Sequence, residues 1–426
     1  MAADADRPHP TVMTAHGPVR GERRATGTRF LGIPYAAPPV GDLRFAAPVL
    51  PDPWTAPLDA TAYGPTAQRR GFGDGATIPE PSVPGAGILN LNVFTPGPDP
   101  EAALPVLFWI HGGGYVAGSA ASPWYDGTAF NRDGVVLVSV GYRLGIEGFL
   151  HLRDAPDNRG VRDWIAALEW VRDNIAGFGG DPAKVTVAGQ SAGGGAVQTL
   201  LATPAARGLF RAAISMSGSL IEPQERRVGP AVAELFTGRT GLPATAAALR
   251  DLSDGRLLEL QDALSAPGPD RDRLPGPLLG PVADGRLVPR PVRTELTDGD
   301  LAADVPLLIG YTRHEFDEFG GQELTDLVFR RPALAVARAR AARGHPTWLY
   351  EFVWPSPVPG ARHGLAFHCL DLPFAFDLLH AEGVTAAAGA APPQALADAM
   401  HGAWTAFVRD LDPGADSFPG GFHWSS

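Results

Sequence analysis

The segment Gly189-Gln190-Ser191-Ala192-Gly193 constrains this chain more than any other. Its letters alone are weak, but its setting is specific. It follows the β-branched run Val185-Thr186-Val187-Ala188 and precedes a helix-like run through Val197, Leu200 and Leu201. A glycine-flanked serine between a strand and a helix reads as an elbow, a strained turn that exposes the hydroxyl. Only small neighbours fit beside such a turn. Gly193, Gly194 and Gly195 each cost a helix about 1 kcal/mol relative to alanine, so close backbone approach is expected there. The bland alternative is an ordinary glycine-rich turn.

The surrounding pattern suits that elbow. Short apolar runs at 106–110, 135–140, 185–188, 213–216, 307–309 and 349–352 predict strands buried on both faces, as in a mostly parallel sheet. Between them, 159–176 predicts a helix whose buried stripe is Val161, Ile165, Leu168, Val171 and Ile175. Gly177, Gly179, Gly180 and Pro182 stop it. Strand–helix alternation of this kind indicates α/β architecture. Residues 220–306 carry helical pieces (231–240 and 246–252) and a Pro/Gly-rich stretch, and read as an insertion over the sheet near the site's mouth. Residues 333–343, rich in Ala and Arg, read as an exposed helix. The chain has no internal repeat, and a single domain over 1–426 is expected.

A second glycine motif, His111-Gly112-Gly113-Gly114-Tyr115, directly follows the strand predicted to end at Ile110. Bare glycine amides can point into a site unobstructed, and acyl transfer needs fixed N–H donors where negative charge develops on oxygen. The same residues loosely match a dinucleotide fingerprint, Gly112-x-Gly114-x-x-Ala117. That fingerprint should open a helix, whereas 119–123 reads as loop. No Walker-type phosphate loop is present.

Composition closes several other routes. With 45% hydrophobic and 19% charged residues the chain can build a large core. A net charge of -11 and the absence of a basic run argue against nucleic acid as a partner. The single Cys369 excludes an intrachain disulfide and a cysteine zinc cluster. No metal or other cofactor is expected. The first 20 residues lack an apolar core for a signal peptide, and the apolar runs are too short to span a bilayer. A cytoplasmic location, away from membranes, is the expectation.

Taken together, these motifs resemble the type B carboxylesterases, the group that includes bacterial para-nitrobenzyl esterases and the cholinesterases. The resemblance runs over about residues 14 to 380. It includes Phe30-Leu31-Gly32-Ile33-Pro34-Tyr35-Ala36, Pro38-Pro39-Val40-Gly41, Arg44-Phe45 and Leu91-Asn92-Val93. It continues through the H-G-G-G-Y loop, Asn174-Ile175, Phe178-Gly179-Gly180-Asp181-Pro182, the elbow and Ser217-Gly218-Ser219. It implies an α/β-hydrolase fold, with a large mostly parallel sheet flanked by helices and insertions over the active site. The implied activity is hydrolysis of a small-molecule carboxylic ester by a serine nucleophile, Ser191.

Spacing alone leaves the acid and base open among 46 carboxylates and 11 histidines. The resemblance implies Glu315, in Leu308-Ile309-Gly310-Tyr311-Thr312-Arg313-His314-Glu315, as the acid. It implies His368, in Phe367-His368-Cys369-Leu370-Asp371-Leu372-Pro373-Phe374, as the base. It also implies Gly113, Gly114 and Ala192 as oxyanion N–H donors. Asp317 and Glu318 remain alternative acids, and His314 reads as a loop residue. Ser217 is either a partner of Glu315 or an ordinary buried serine.

Several positions depart from the family. The segment before Leu91 lacks the usual acidic pair and cysteine, residues 64–87 contain no tryptophan, and Gln190 stands where a glutamate is common. All three argue against a cationic choline ester and for a small to medium uncharged one. The stretch 316–348 reads as trimmed, which would widen the acyl or alcohol pocket. Cys369, where a small residue is common, reads as packing. Amide, carbamate or lactone substrates are the nearest alternative, and a non-catalytic binding protein a more distant one.

Overall fold

The computed structural model describes residues 9–71, 77–218, 228–274 and 276–424. A small sheet is formed by β1 (Thr11–Thr14), β2 (Gly17–Arg20) and β5 (Leu58–Asp59). The main sheet takes β3 (Glu22–Arg24), β4 (Gly27–Pro34), β6 (Asn90–Thr95), β7 (Leu104–Ile110) and β8 (Val136–Val140). It is completed by β9 (Gly180–Gln190), β10 (Ala212–Met216), β11 (Leu307–Thr312), β12 (Thr347–Phe352) and β13 (Phe422–Trp424). Its ten strands lie in the order β13-β12-β11-β10-β9-β7-β8-β6-β4-β3. From β13 to β8 every pairing is parallel, and β6, β4 and β3 extend that edge antiparallel.

All six predicted strands are present. Their unbroken apolar runs follow from burial on both faces. Val106, Phe108 and Ile110 of β7 enter one core, while Leu107 and Trp109 enter the other. The first core is closed by the helix Arg159–Asn174, with Val161, Trp164, Leu168 and Val171, and by the helix Ala192–Leu201. The second is closed by the helix Gln394–Asp410, through Met400, Trp404 and Phe407. The helix predicted for 159–176 ends at Asn174 and tightens into a short turn, Ile175–Phe178, before Gly179 at φ 88. Gly179 stops it as a left-handed C-terminal residue does.

The insertion is helical. Residues 220–227 and 275 of it lie outside the described residues. Its helices Val228–Thr240 and Asp254–Ser265 place Phe236, Leu257, Leu260 and Leu264 in the first core. The expectation of an exposed helix at 333–343 is corrected. In the helix Arg331–Ala342, Ala333, Val336 and Ala337 form a buried stripe, and Arg340 is buried too. The Arg340 guanidinium bonds to the Ala302 and Val305 carbonyls and to the Thr347 hydroxyl. Burial, with Arg343 nearby, pulls its pKa down to about 10. A stripe of alanines is too weakly apolar to stand out from an arginine-rich surface pattern.

One ion pair joins sheet and helix. Arg143, just past β8, is bidentate to Asp163, with Nε–Oδ2 at 2.9 Å and NH2–Oδ1 at 2.6 Å. Both side chains are buried, and a further guanidinium N–H donates to the Ala46 carbonyl. Removing one partner strands the other charge in the core. Asp163→Ala is therefore expected to lower unfolding free energy by about 3–5 kcal/mol, read by urea denaturation against the wild type.

Candidate active site

Strand β9 ends at Gln190, and Ser191 turns the chain with φ 58 and ψ -121 into the helix Ala192–Leu201. That conformation is costly for a residue with a side chain. It is held from three directions. The Ser191 N–H donates to the Met216 carbonyl of β10 at 2.9 Å, and the Ser191 carbonyl accepts from Gly195 N–H at 2.9 Å. From the third side, the carbonyl of Ile110 at the end of β7 lies where a Cβ on Gly193 would stand. The glycines after the serine thus serve close approach, as their helix cost suggested.

Glu315 follows β11 and is fully buried. Its Oε1 accepts the Thr312 backbone N–H at 2.8 Å, and its Oε2 lies 2.5 Å from Nδ1 of His368. The His368 backbone N–H also donates to the Glu315 carbonyl at 3.0 Å, which ties the two loops together. Burial opposes charging of the imidazole, but Cys369 and Glu315 beside it outweigh burial and hold its pKa well above the ordinary 6.5. The other ring nitrogen, Nε2, lies 3.1 Å from Nε2 of Gln190, the residue before Ser191.

The H-G-G-G loop packs directly on the elbow. A Cβ on Gly112 would touch the Gln190 carbonyl and the Cβ of Ser191. Gly113 has φ 111, and its carbonyl accepts from the N–H groups of Val116 and Ala117. Among the described residues, no group accepts the N–H of Gly113 or of Gly114. His111 is buried, stacks on Tyr142 and directs Nδ1 at the Gly112 carbonyl at 2.8 Å. Burial pulls its pKa down to about 4, so its ring is neutral near pH 7. Residues 112–122 form loop and turns rather than a helix, which removes the setting a dinucleotide fingerprint requires.

The family model of the carboxylesterase family matches residues 8–324. This chain belongs to that family. It is accordingly a carboxylic ester hydrolase of the α/β-hydrolase fold. The chain is 34% identical to the para-nitrobenzyl esterase of Bacillus subtilis (strain 168), over 96% of this chain and 91% of that protein. A solved PNB esterase structure superposes with a TM-score of 0.86 at 33% identity, covering 97% of this chain and 94% of that one. A Geobacillus stearothermophilus carboxylesterase gives a TM-score of 0.84 at 34% identity, covering 97% and 96%. The family match stops short of His368, whereas these likenesses extend over nearly the whole chain.

Within this carboxylesterase, the alternative acids are engaged elsewhere. Asp317 accepts from the Thr325 hydroxyl, and Glu318 pairs with Arg362. His314 Nδ1 accepts the Ala366 N–H, as a loop residue does. Ser217 is fully buried with its hydroxyl unpartnered among the described residues; the donor on Glu315 is instead the Thr312 backbone. The stretch read as trimmed packs Phe316 and Phe329 against the His368 ring, at centroid distances of 4.9 and 5.3 Å. Sequence reading also missed Asp371, fully buried and bonded to the Tyr350 hydroxyl at 3.0 Å. Burial and nearby Glu315 push its carboxyl up to about 7. These contacts join residues far apart in sequence and leave no local signal.

Because the Ile110 carbonyl fills the space beside Gly193, Gly193→Ala must displace either β7 or the elbow. Overpacking of this kind costs about 1–3 kcal/mol. Calorimetry should show a lowered unfolding temperature, whereas Gly402→Ala, on the exposed face of the helix Gln394–Asp410 with open space around it, should not lower it.

Proposed function

We propose that the chain hydrolyses small to medium uncharged carboxylic esters through an acyl-enzyme. Ser191 is the nucleophile, His368 the general base and acid, and Glu315 the acid that orients it. The observation that carries this reading is the 2.5 Å contact between Glu315 Oε2 and His368 Nδ1 beside a serine strained at a strand–helix elbow. That contact supports a neutral imidazole with its proton on Nδ1 and a lone pair on Nε2.

In the first half-reaction, Oγ of Ser191 adds to the ester carbonyl carbon while its proton passes to His368 Nε2. The tetrahedral oxyanion takes hydrogen bonds from the Gly113, Gly114 and Ala192 amides. The intermediate collapses, the bond to the alcohol oxygen breaks, and that oxygen takes the proton from the imidazolium. Water then repeats the sequence on the acyl-serine, releasing the carboxylic acid. The free N–H groups of the glycine loop and the start of the helix Ala192–Leu201 support this assignment, since such donors act where charge develops. The neutral Gln190, and a loop of residues 64–87 without tryptophan, favour an uncharged ester over a cationic one.

Hydrolysis of para-nitrophenyl esters from acetate to decanoate by wild type and Ser191→Ala tests the reading. Loss of the nucleophile should lower turnover by about 10⁶-fold, with wild-type rates highest on the shorter chains. Equal rates in the two proteins would overturn Ser191 as nucleophile, and equal rates on matched amides would overturn ester preference.

The pH profile gives an independent check. A base must be unprotonated, so kcat/KM should fall about tenfold per unit once pH drops below the His368 pKa. Since Glu315 and Cys369 raise that pKa above 6.5, the decline should begin above pH 6.5, with the plateau on the alkaline side.

A further inference from the structure

Two departures from the family pattern, Gln190 and Cys369, lie in different segments of the chain, yet their side chains touch. One Gln190 amide nitrogen sits 3.1 Å from Cys369 Sγ and 3.1 Å from His368 Nε2. A carboxamide nitrogen carries two hydrogens, and each has an acceptor here. Glu315 at Nδ1 fixes the neutral ring with its lone pair on Nε2, so the nitrogen end of the amide is the end that must face it. The Gln190 oxygen, by contrast, is buried without a partner among the described residues. Cys369 holds φ 74, a left-handed conformation uncommon for a residue with a side chain, and is buried.

We propose that Gln190 and Cys369 act as a pair of positioning residues for the base: Cys369 Sγ takes one amide hydrogen and turns the other onto the Nε2 lone pair of His368. This deepens the assignment of His368 as base and rests on it. In the free enzyme the amide occupies the lone pair that Ser191 must use, and yields it when the serine proton transfers. A donor at Nε2 favours the neutral ring, which opposes the rise imposed by Glu315. The groups facing the imidazole are Glu315 at Nδ1, Cys369 and Gln190 on the Nε2 side, and the Phe316 and Phe329 rings, with Asp371 close enough to interact electrostatically.

The test measures kcat/KM against pH on para-nitrophenyl acetate for Gln190→Met, Gln190→Glu, Cys369→Ala, Cys369→Ser and the double variant Gln190→Met/Cys369→Ala. Nitrogen-15 NMR of the His368 ring in the Ser191→Ala protein, with and without Gln190→Met, reports the Nε2 bond without any turnover. The acid limb should move to higher pH in Gln190→Met and further in Gln190→Glu, where rates on the acid side fall about tenfold for a one-unit move. In the Ser191→Ala protein, Cys369→Ala should weaken the Nε2 hydrogen bond as Gln190→Met does, Cys369→Ser should restore it, and the double variant should match Gln190→Met alone in that resonance. Gln190→Glu preserves shape, so a folding defect in Gln190→Met would not hide the result. An unmoved acid limb and unchanged Nε2 resonance would overturn the proposal, as would independent, additive effects of the two residues. Should Ser191→Ala keep full activity, the underlying triad reading falls instead.

Discussion

The turn at Ser191 is held in a backbone conformation that costs about 1–3 kcal/mol for a residue with a side chain, and the rest of the site is arranged by what holds it there. The Ile110 carbonyl presses on Gly193 from β7, and Met216 of β10 accepts the serine N–H. The next residue, Ser217, donates its own N–H to Gly310 of β11. Two residues further along, Thr312 donates to Glu315, which in turn holds His368. A continuous series of short bonds therefore runs across three parallel strands from the elbow to the imidazole. The strands are buried on both faces, so their backbone donors and acceptors keep these partners rather than water.

Charge is handled with the same economy. Glu315 has no exposure, and an isolated carboxylate there would be strongly disfavoured. Its two oxygens are met by the Thr312 amide and the His368 ring. The neighbouring Asp371 is as deeply buried, and burial together with Glu315 keeps it protonated below about pH 7. A second full charge is thus kept from the site as pH falls below neutrality. Beyond the end of β8, Arg143 and Asp163 show the other solution, a buried pair that neutralises itself.

The departures from the family make more sense as contacts than as separate substitutions. Gln190 read alone removes a negative charge, and Cys369 read alone fills space. In three dimensions they share a hydrogen bond, and the same amide nitrogen lies 3.1 Å from Nε2 of His368. The stretch that reads as trimmed behaves similarly, since Phe316 and Phe329 wall one side of the same imidazole.

The sequence by itself determined the layered α/β architecture, the central strands, the elbow and the glycine loop. Each of these rests on local rules: apolar runs for strands buried on both faces, a helical stripe, and glycines where backbones meet. The proposed acid and base, Glu315 and His368, were legible only through family motifs, because nothing local separates one carboxylate or histidine among many. The tertiary structure decided that Glu315 is paired while Asp317 and Glu318 are engaged elsewhere, and that Thr312 rather than Ser217 supplies the donor to Glu315. It also decided that the alanine-rich helix is packed and that its Arg340 is buried. The physical reason is common to all of these. Periodicity records which face of an element avoids water, whereas a buried hydrogen bond depends on where two distant loops meet.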